Sequence, residues 1–127
     1  MSRYLALDEV LAIHADQIER YGGTLGIRDR AGLESALAMP TAGFGDELLH
    51  TTIYEQAGAY LFHLCKNHPF LDGNKRVSLA VTLASLALNE IWIDATEDEL
   101  VDLVIGTASG KLSKADLALF REHATSG

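Results

Sequence analysis

Hydrophobic positions recur with a helical period along most of the chain. The clearest pattern follows Thr51, where apolar or small residues stand three and four positions apart without a miss. It predicts an amphipathic helix whose buried face is formed by Tyr54, Ala57, Gly58, Leu61, Phe62 and Cys65. Residues 77–89 are apolar or small nearly all round, which predicts a helix buried on every side at the centre of the fold.

Weaker patterns predict two helices before this pair. The first ends at Gly22 and Gly23, and its apolar face is formed by Leu7, Leu11, His14, Ile18 and Tyr21. On that face we interpret His14 as a hydrogen-bonded core histidine rather than a ligand. Asp29 can cap a short second helix that stops before Pro40.

The remaining segments complete an all-α plan. Residues 41–50 contain two glycines and are predicted to be a flap rather than a regular element, and residues 91–93 to be extended. Thr96 or Asp98 can start a further helix that ends between residues 106 and 110. Ser113 can cap a last helix through Leu117 and Phe120. We therefore expect residues 1–127 to form a single domain of about six helices around the helix of residues 77–89.

Charge restricts the classes of partner. The formal net charge of −8 argues against a protein that holds nucleic acid by its phosphates, since that mode needs clustered lysine and arginine. Three of the ten basic residues nevertheless lie close together in sequence, at Lys66, Lys75 and Arg76, which suggests a local anion site. Neither a signal peptide nor a membrane-spanning apolar stretch is apparent, so we expect a soluble, cytoplasmic protein. Cys65 stands alone and is expected to act as a small core hydrophobe.

The segment between the two strongest helices carries the candidate chemistry. Moving a phosphoryl or nucleotidyl group to a protein hydroxyl needs a base, a Mg²⁺ ligand and donors aimed at phosphate oxygens. Within this segment His68 can act as the base and Asp72 can bind Mg²⁺. The backbone from Gly73 and Asn74 onward begins a helix whose free N–H groups suit an anion, and Lys75 and Arg76 add positive charge. Phe70 is expected to anchor the loop in the core.

The nine-residue string His68-Pro69-Phe70-Leu71-Asp72-Gly73-Asn74-Lys75-Arg76 resembles the signature His-x-Phe-x-Asp/Glu-Gly-Asn-x-Arg of Fic-domain proteins. Residues 14–29, including Tyr21-Gly22-Gly23-Thr24-Leu25-Gly26-Ile27-Arg28-Asp29, are similar to the death-on-curing branch of that family, the toxins of toxin–antitoxin pairs. The resemblance implies an all-helical fold with a flap beside the signature loop. It also implies His68 as base, Asp72 as metal ligand, Gly73 and Asn74 as anion hole, Arg76 as phosphate contact, and ATP with Mg²⁺ as cofactors.

Lys75 separates two activities within the resemblance. Fic proteins that attach AMP usually have glycine at this position and a second arginine where this sequence has Leu79, whereas death-on-curing toxins have lysine. The resemblance therefore implies a kinase that moves the terminal phosphate of ATP to elongation factor Tu and arrests translation. Transfer of AMP by the same residues is the alternative, and a catalytically silent binding module of the same fold is a second one.

An inhibitory partner is implied by what the chain lacks. Many Fic proteins carry an inhibitory helix of the pattern Ser/Thr-x-x-x-Glu-Gly/Asn. Here the nearest match, residues 51–56, ends in Gln56 and overlaps the strongest predicted helix. We therefore expect a separate antitoxin, contributing a helix that lies in a groove of this domain. His50 and His123 are expected at the surface, and Trp92 in the core or at an edge.

Overall fold

The chain, described by a computed structural model, consists mainly of α-helices, which confirms the predicted fold class. The structure describes residues 3–44, 47–50, 52–114, 116 and 124–126. In chain order the elements are α1 (Leu7–Tyr21), α2 (Arg30–Ala38), a 3₁₀ turn (Met39–Thr41), β1 (Gly43–Phe44), β2 (Glu47–Leu48), α3 (Ile53–Asn67), α4 (Asn74–Leu88), β3 (Ile91–Ile93), α5 (Glu97–Ala108) and β4 (Ala124–Ser126).

The prediction that the helix of residues 77–89 is buried on every side is wrong, because the buried residues of α4 recur three and four positions apart on one face and Ala87 is exposed. Helix α4 shares the centre of the fold with α3, eight of whose residues are buried. It packs most extensively against α3, and it also contacts α1, α5 and β3. One apolar cluster includes Tyr60, Leu64, Phe70, Val77 and Val81, and a second includes Ala57, Leu61, Leu86 and Val104. Since each large buried side chain stabilises the fold by about 1.5–3 kcal/mol, this packing holds the end of α3 against the start of α4.

Two buried hydroxyl groups of α4 are hydrogen-bonded inside the helix. Ser78 and Thr82 are fully buried. The Ser78 hydroxyl donates to the carbonyl oxygen of Asn74 at 2.5 Å, and the Thr82 hydroxyl donates to that of Ser78 at 2.7 Å. Because these hydroxyls keep a hydrogen-bond partner, this face of α4 is buried without the desolvation cost of unpaired polar groups.

The predicted helix starts are confirmed where a side chain caps them. Asp29 Oδ1 accepts the Gly32 N–H at 2.9 Å, and α2 follows it. Of the two alternatives for α5, Thr96 is the cap: its hydroxyl oxygen accepts the Glu99 N–H, and the Glu99 carboxylate accepts the Thr96 N–H, both at 3.1 Å. This reciprocal capping box fixes where α5 begins.

Short strands occupy two predicted non-helical segments. The flap contains a β-hairpin instead of lacking regular structure, because β1 and β2 pair antiparallel with Gly43 opposite Leu48. Strands this short leave no alternating pattern in the sequence. Gly43 is needed here, since a Cβ would collide with the backbone of Glu47. The predicted extended segment is β3, which pairs antiparallel with β4 and leaves Trp92 half exposed at this edge.

The prediction that His50 lies at the surface is wrong. His50 is buried, and its Nδ1 lies 3.2 Å from the carbonyl oxygen of Met39 in the 3₁₀ turn. The 3₁₀ turn packs against α3, so His50, which lies between them in the sequence, is shielded from solvent. His123 and the predicted last helix through Leu117 and Phe120 lie outside the described residues. Among the helices described, none is long and apolar enough to cross a membrane.

Candidate active site

The loop between α3 and α4 carries the signature string. α3 ends at Asn67, and His68 caps it in the left-handed conformation, with φ 50° and ψ 54°. Gly73, also left-handed with φ 74° and ψ 18°, precedes the first residue of α4. A left-handed residue at each end turns the chain sharply, and for His68 that conformation is uncommon because its Cβ disfavours it.

An open cavity of about 320 Å³ lies against this loop. Its lining consists of His68, Leu71, Asp72, Gly73, Asn74, Lys75 and Arg76. The structure therefore brings all the predicted site residues to one cavity. Leu71, which is 54% exposed, adds an apolar side chain that the sequence analysis did not assign to the site.

The imidazole of His68 is oriented by the amide of Asn74. The Asn74 amide is itself fixed, because its Oδ1 accepts the Phe70 N–H and its Nδ2 donates to the Phe70 carbonyl oxygen, both at 2.9 Å. Nδ2 also lies 3.2 Å from Nδ1 of His68. Since Nδ2 is a donor, Nδ1 accepts, and neutral His68 carries its proton on Nε2.

Asn74 has two separate parts in this loop. Its side chain is only 5% exposed and is engaged by Phe70 and His68, so it spans the loop from inside rather than facing the cavity. Its backbone N–H belongs to the first turn of α4 and has no partner within the helix. Any contribution of Asn74 to an anion hole must therefore come from its backbone.

The start of α4 is suited to an anion. Gly73 has no side chain with which to cap the helix, and the regular backbone hydrogen bonds begin with the Val77 N–H to the Gly73 carbonyl at 2.9 Å. The N–H groups of Asn74, Lys75 and Arg76 therefore have no partner within the helix, and the helix dipole favours negative charge there. Lys75 and Arg76 are exposed at the same end. The Arg76 guanidinium lies over the Tyr21 ring, 4.6 Å from its centre, in a cation–π contact.

The Asp72 carboxylate is exposed and held by backbone donors. Oδ1 accepts the Gly73 N–H at 3.0 Å, and Oδ2 accepts the Thr24 N–H at 3.1 Å. Each oxygen keeps a further lone pair for another partner. Within the described part of the chain, no group of three or more His, Cys, Asp or Glu side chains is arranged to hold a metal ion. A cation bound at Asp72 would need further oxygen ligands from a phosphate and water, which is the habit of Mg²⁺.

The segment after α1 runs along the loop and pairs with its backbone. The carbonyl oxygen of Pro69 accepts the N–H groups of Arg28 and Asp29, at 2.8 and 2.9 Å. The Leu71 N–H donates to the carbonyl oxygen of Gly26 at 3.0 Å. The loop is thus held by the irregular segment of residues 26–29 as well as by the two helices.

The Arg28 side chain reaches the end of α3. Its Nε donates to the carbonyl oxygen of His68 at 2.7 Å, and its Nη2 donates to that of Asn67 at 2.9 Å. The Asn67 side chain in turn donates to the carbonyl oxygen of Gly32 at 2.8 Å. These contacts tie the last carbonyl groups of α3 to the segment that leads into α2.

His14 supports the loop from below, which confirms its interpretation as a hydrogen-bonded core histidine. It is 2% exposed, and its Nε2 donates to the carbonyl oxygen of Asp72 at 3.0 Å. Its ring stacks on that of Phe70, with centres 3.9 Å apart and planes 10° from parallel. Phe70 is fully buried, as predicted for an anchor.

A second cavity, of about 250 Å³, adjoins the first between α4 and α5. Its walls are mainly apolar and come from Leu79, Val101, Val104 and Ile105. Lys75 and Arg76 line this cavity as well as the one at the loop. A ligand with an anionic end and a flat apolar end could therefore occupy both.

Comparison with known proteins agrees with the geometry. A sequence model of the Fic/DOC family matches residues 4–86, from before α1 almost to the end of α4, and so includes the whole loop. The chain belongs to the Fic/DOC family. It is 32% identical over 116 residues to "Protein kinase doc" of Escherichia phage P1, across 91% of this chain and 90% of that protein. It is also 30% identical over 133 aligned residues to "Toxin Doc" of Mycolicibacterium smegmatis, across the full length of both.

Contacts to the loop of this Fic/DOC protein that periodicity did not predict include those of Tyr21, Thr24 and Arg28. Tyr21 was assigned to the apolar face of the first helix, but it is 60% exposed, and Val10 of the same helix is fully buried. The sequence feature that indicated this segment was the resemblance of residues 21–29 to the death-on-curing branch, which does not specify any contact.

Proposed function

We propose that this chain is a toxin kinase of the Fic/DOC family that transfers the terminal phosphate of ATP to a hydroxyl of elongation factor Tu and so arrests translation. The main observation that supports this proposal is the pair of cavities that share Lys75 and Arg76. One is lined by His68, Asp72 and the start of α4, and the other mainly by apolar side chains. The names of the two relatives, a protein kinase and a toxin, support the same activity.

His68 is the proposed base. In the tautomer that Asn74 selects, the lone pair is on Nδ1, so this atom takes the proton of the target hydroxyl and gives up its contact with the amide. The hydroxyl oxygen forms a bond to the terminal phosphorus while the bond from that phosphorus to the bridging oxygen breaks. ADP leaves with the bonding electrons, and the target carries the phosphate.

Asp72 and the start of α4 hold the nucleotide in this proposal. Asp72 would hold Mg²⁺ through its carboxylate, and the ion would supply positive charge against the negative charge that develops on transfer. Gly73 and Asn74 are the proposed anion hole; because the Gly73 N–H donates to Asp72 Oδ1 in this structure, the Asn74 N–H is the group that faces a phosphate without first leaving another acceptor. Arg76 can contact phosphate through two parallel N–H groups, and Lys75 adds a point charge beside it.

Leu79 supports transfer of the terminal phosphate over transfer of AMP. It stands at the position of the second arginine that is usual in Fic proteins that transfer AMP, and it lies in the apolar wall of the second cavity. An apolar wall suits a nucleobase better than a polyphosphate chain, because burying phosphate there would cost its hydration. With the base in that cavity, the phosphate chain extends past Lys75 and Arg76 toward the loop.

Labelled nucleotides test the direction of transfer. The protein is incubated with elongation factor Tu, Mg²⁺ and ATP labelled at either the α- or the γ-phosphate, and protein-bound label is measured. We expect label from the γ-position. Label from the α-position alone would establish AMP transfer and overturn the kinase proposal.

Replacing the proposed base separates catalysis from binding. His68 is exposed, so His68→Ala should leave the unfolding temperature nearly unchanged. Transfer should fall by roughly 10²–10⁴-fold, and growth arrest on expression should disappear. A folded His68→Ala protein that remains fully toxic would support the silent binding module instead.

Neutralisation by a separate antitoxin is part of the proposal. Thr52 caps α3 by accepting the Glu55 N–H at 3.1 Å, so the nearest match to an inhibitory pattern is built into a core helix. Expression of this chain alone should therefore arrest growth without any activating cleavage. Full viability with detectable folded protein would count against a toxin that needs inhibition in trans.

A further inference from the structure

We propose that Arg28 is a positioning residue that sets the orientation of His68 through the backbone on either side of it. The inference rests on the proposed function in taking His68 as the base. Arg28 is outside the signature string and does not line the cavity at the loop. Its guanidinium binds the carbonyl oxygens of two successive residues, His68 at 2.7 Å and Asn67 at 2.9 Å.

Two adjacent carbonyl groups define the peptide planes around a residue. The Asn67 carbonyl belongs to the peptide that enters His68, and the His68 carbonyl belongs to the peptide that leaves it. A planar guanidinium that donates to both fixes their relative direction, because its N–H groups have a rigid fork geometry. The φ and ψ angles of His68 are therefore held by Arg28 in the left-handed region that a residue with a Cβ otherwise disfavours.

The same segment holds the next peptide of the loop. The backbone N–H groups of Arg28 and Asp29 both donate to the Pro69 carbonyl oxygen. Arg28 thus binds two successive carbonyl oxygens, that of His68 with its side chain and that of Pro69 with its backbone N–H. The imidazole is fixed at its other end by the Asn74 amide, so the base is held from both the backbone and the ring.

A positioning role differs from a stabilising one because Arg28 is exposed. When it is removed, water can bind the carbonyl oxygens it leaves, so the free energy of unfolding should change little. Water does not reproduce the rigid fork, however, and the direction of His68 becomes less defined. Small displacements of a reacting group lower the rate of the chemical step without weakening nucleotide binding.

Three variants test the inference: Arg28→Met, Arg28→Lys and the matched control Arg30→Gln. Arg30 is also exposed, and its side chain pairs with Glu34 on α2 instead of the loop. For Arg28→Met we expect kcat for phosphate transfer to fall roughly 10- to 100-fold, with KM for ATP within about twofold and the unfolding temperature close to that of the unaltered chain. Arg28→Lys should recover part of kcat, since lysine can reach one carbonyl but not both. Arg30→Gln should change neither constant.

A readout independent of activity completes the test. Nitrogen NMR of the His68 ring reports which ring nitrogen carries the proton, and we expect the Nε2–H form to dominate in the unaltered chain and in Arg30→Gln, with a mixture in Arg28→Met. Unchanged kcat, or an unchanged tautomer balance, in a folded Arg28→Met protein would overturn the inference. A parallel loss of kcat, ATP binding and unfolding temperature would also overturn it, since Arg28 would then be structural. If the unaltered chain transfers no phosphate, the proposed function fails and the NMR result alone decides on Arg28.

Discussion

The Asn74 side chain makes a quantitative prediction about how the loop is held together. Replacing Asn74 with alanine removes the acceptor for the Phe70 N–H and the donor to the Phe70 carbonyl oxygen, both at 2.9 Å. Phe70 is fully buried and Asn74 is 5% exposed, so the chain offers water little access to the two orphaned groups. A buried polar group left without a partner costs about 1–3 kcal/mol.

These costs translate into a large thermal shift. Two orphaned groups cost about 2–6 kcal/mol and less than about 1 kcal/mol is regained from the higher helix propensity of alanine, so the free energy of unfolding should fall by about 1–5 kcal/mol. For 127 residues, an unfolding entropy of about 2 cal/mol/K per residue makes each kcal/mol worth about 4 °C. Asn74→Ala should therefore unfold about 4–20 °C below the unaltered chain.

Asn89 at the other end of α4 provides a matched control. Its amide also makes three hydrogen bonds, to the backbone N–H and carbonyl of Arg3 at 2.7 and 3.0 Å and to the Ser85 carbonyl at 2.8 Å. The two bonds to Arg3 are solvent-exposed, so water replaces them in Asn89→Ala and the loss should stay near 1 kcal/mol.

The assay is thermal and urea-induced unfolding of both variants, with phosphate transfer measured on the same samples below the unfolding transition. Asn74→Ala should also lose transfer, because its amide orients His68, whereas Asn89→Ala should keep it. If the two variants are equally stable within about 1 kcal/mol, the Asn74 amide does not hold the loop and the orientation assigned to His68 is wrong.

Two further predictions concern other charged contacts. Burial, and next the charge of Lys114, lower the pKa of His63 to about 4, and its Nε2 accepts from the Lys114 ammonium at 3.1 Å. In the unfolded chain His63 has the ordinary histidine pKa near 6.5. Its contribution to the free energy of unfolding is therefore complete above pH 6.5 and is lost as the pH falls toward 4. For a half-buried side chain this contribution amounts to about 1–3 kcal/mol. Urea unfolding at a series of pH values checks this, and Lys114→Met should reduce the pH dependence between 4 and 6.5; an unaltered slope would contradict it. Tyr21→Ala should raise KM for ATP about two- to fivefold, because the loss of an exposed cation–π contact releases Arg76. Tyr21→Phe keeps the ring and should match the unaltered chain. Equal KM values for the two variants would refute the role of the ring.

Local patterns in the sequence predict the helices and the content of the loop. The three- and four-residue spacing before Cys65 and the continuous apolar run of residues 77–89 predict α3 and α4, because burial of a helix dictates residue type at each turn. How much of each helix is buried was not predicted: α3 is buried over more of its circumference than the spacing indicates, and α4 on one face. Asp29 and Thr96 mark helix starts because the capping bond joins residues three apart. The burial of His14 and Phe70 was predictable on the same local grounds.

Contacts between distant parts of the chain were not predictable in this way. The bond from His14 to the Asp72 carbonyl joins residues 58 apart, and that from Arg28 to the His68 carbonyl joins residues 40 apart. No periodicity relates such positions, since their meeting depends on how α1 and the segment after it cross the ends of α3 and α4. The burial of His50 was missed for the same reason: the 3₁₀ turn that covers it packs on α3 only in the folded chain.

The signature loop shows most clearly which properties the sequence determines and which depend on the tertiary structure. The residue types of His68, Asp72 and Arg76 predict, by themselves, a base, a carboxylate ligand and a phosphate-binding cation, because those chemical groups are what the proposed reaction requires. Tertiary structure alone decided that the Asn74 side chain points inward and that Arg28 grips the backbone at His68. Chemical identity is a property of each side chain, whereas orientation is a property of the contacts around it, and these form only when the chain is folded.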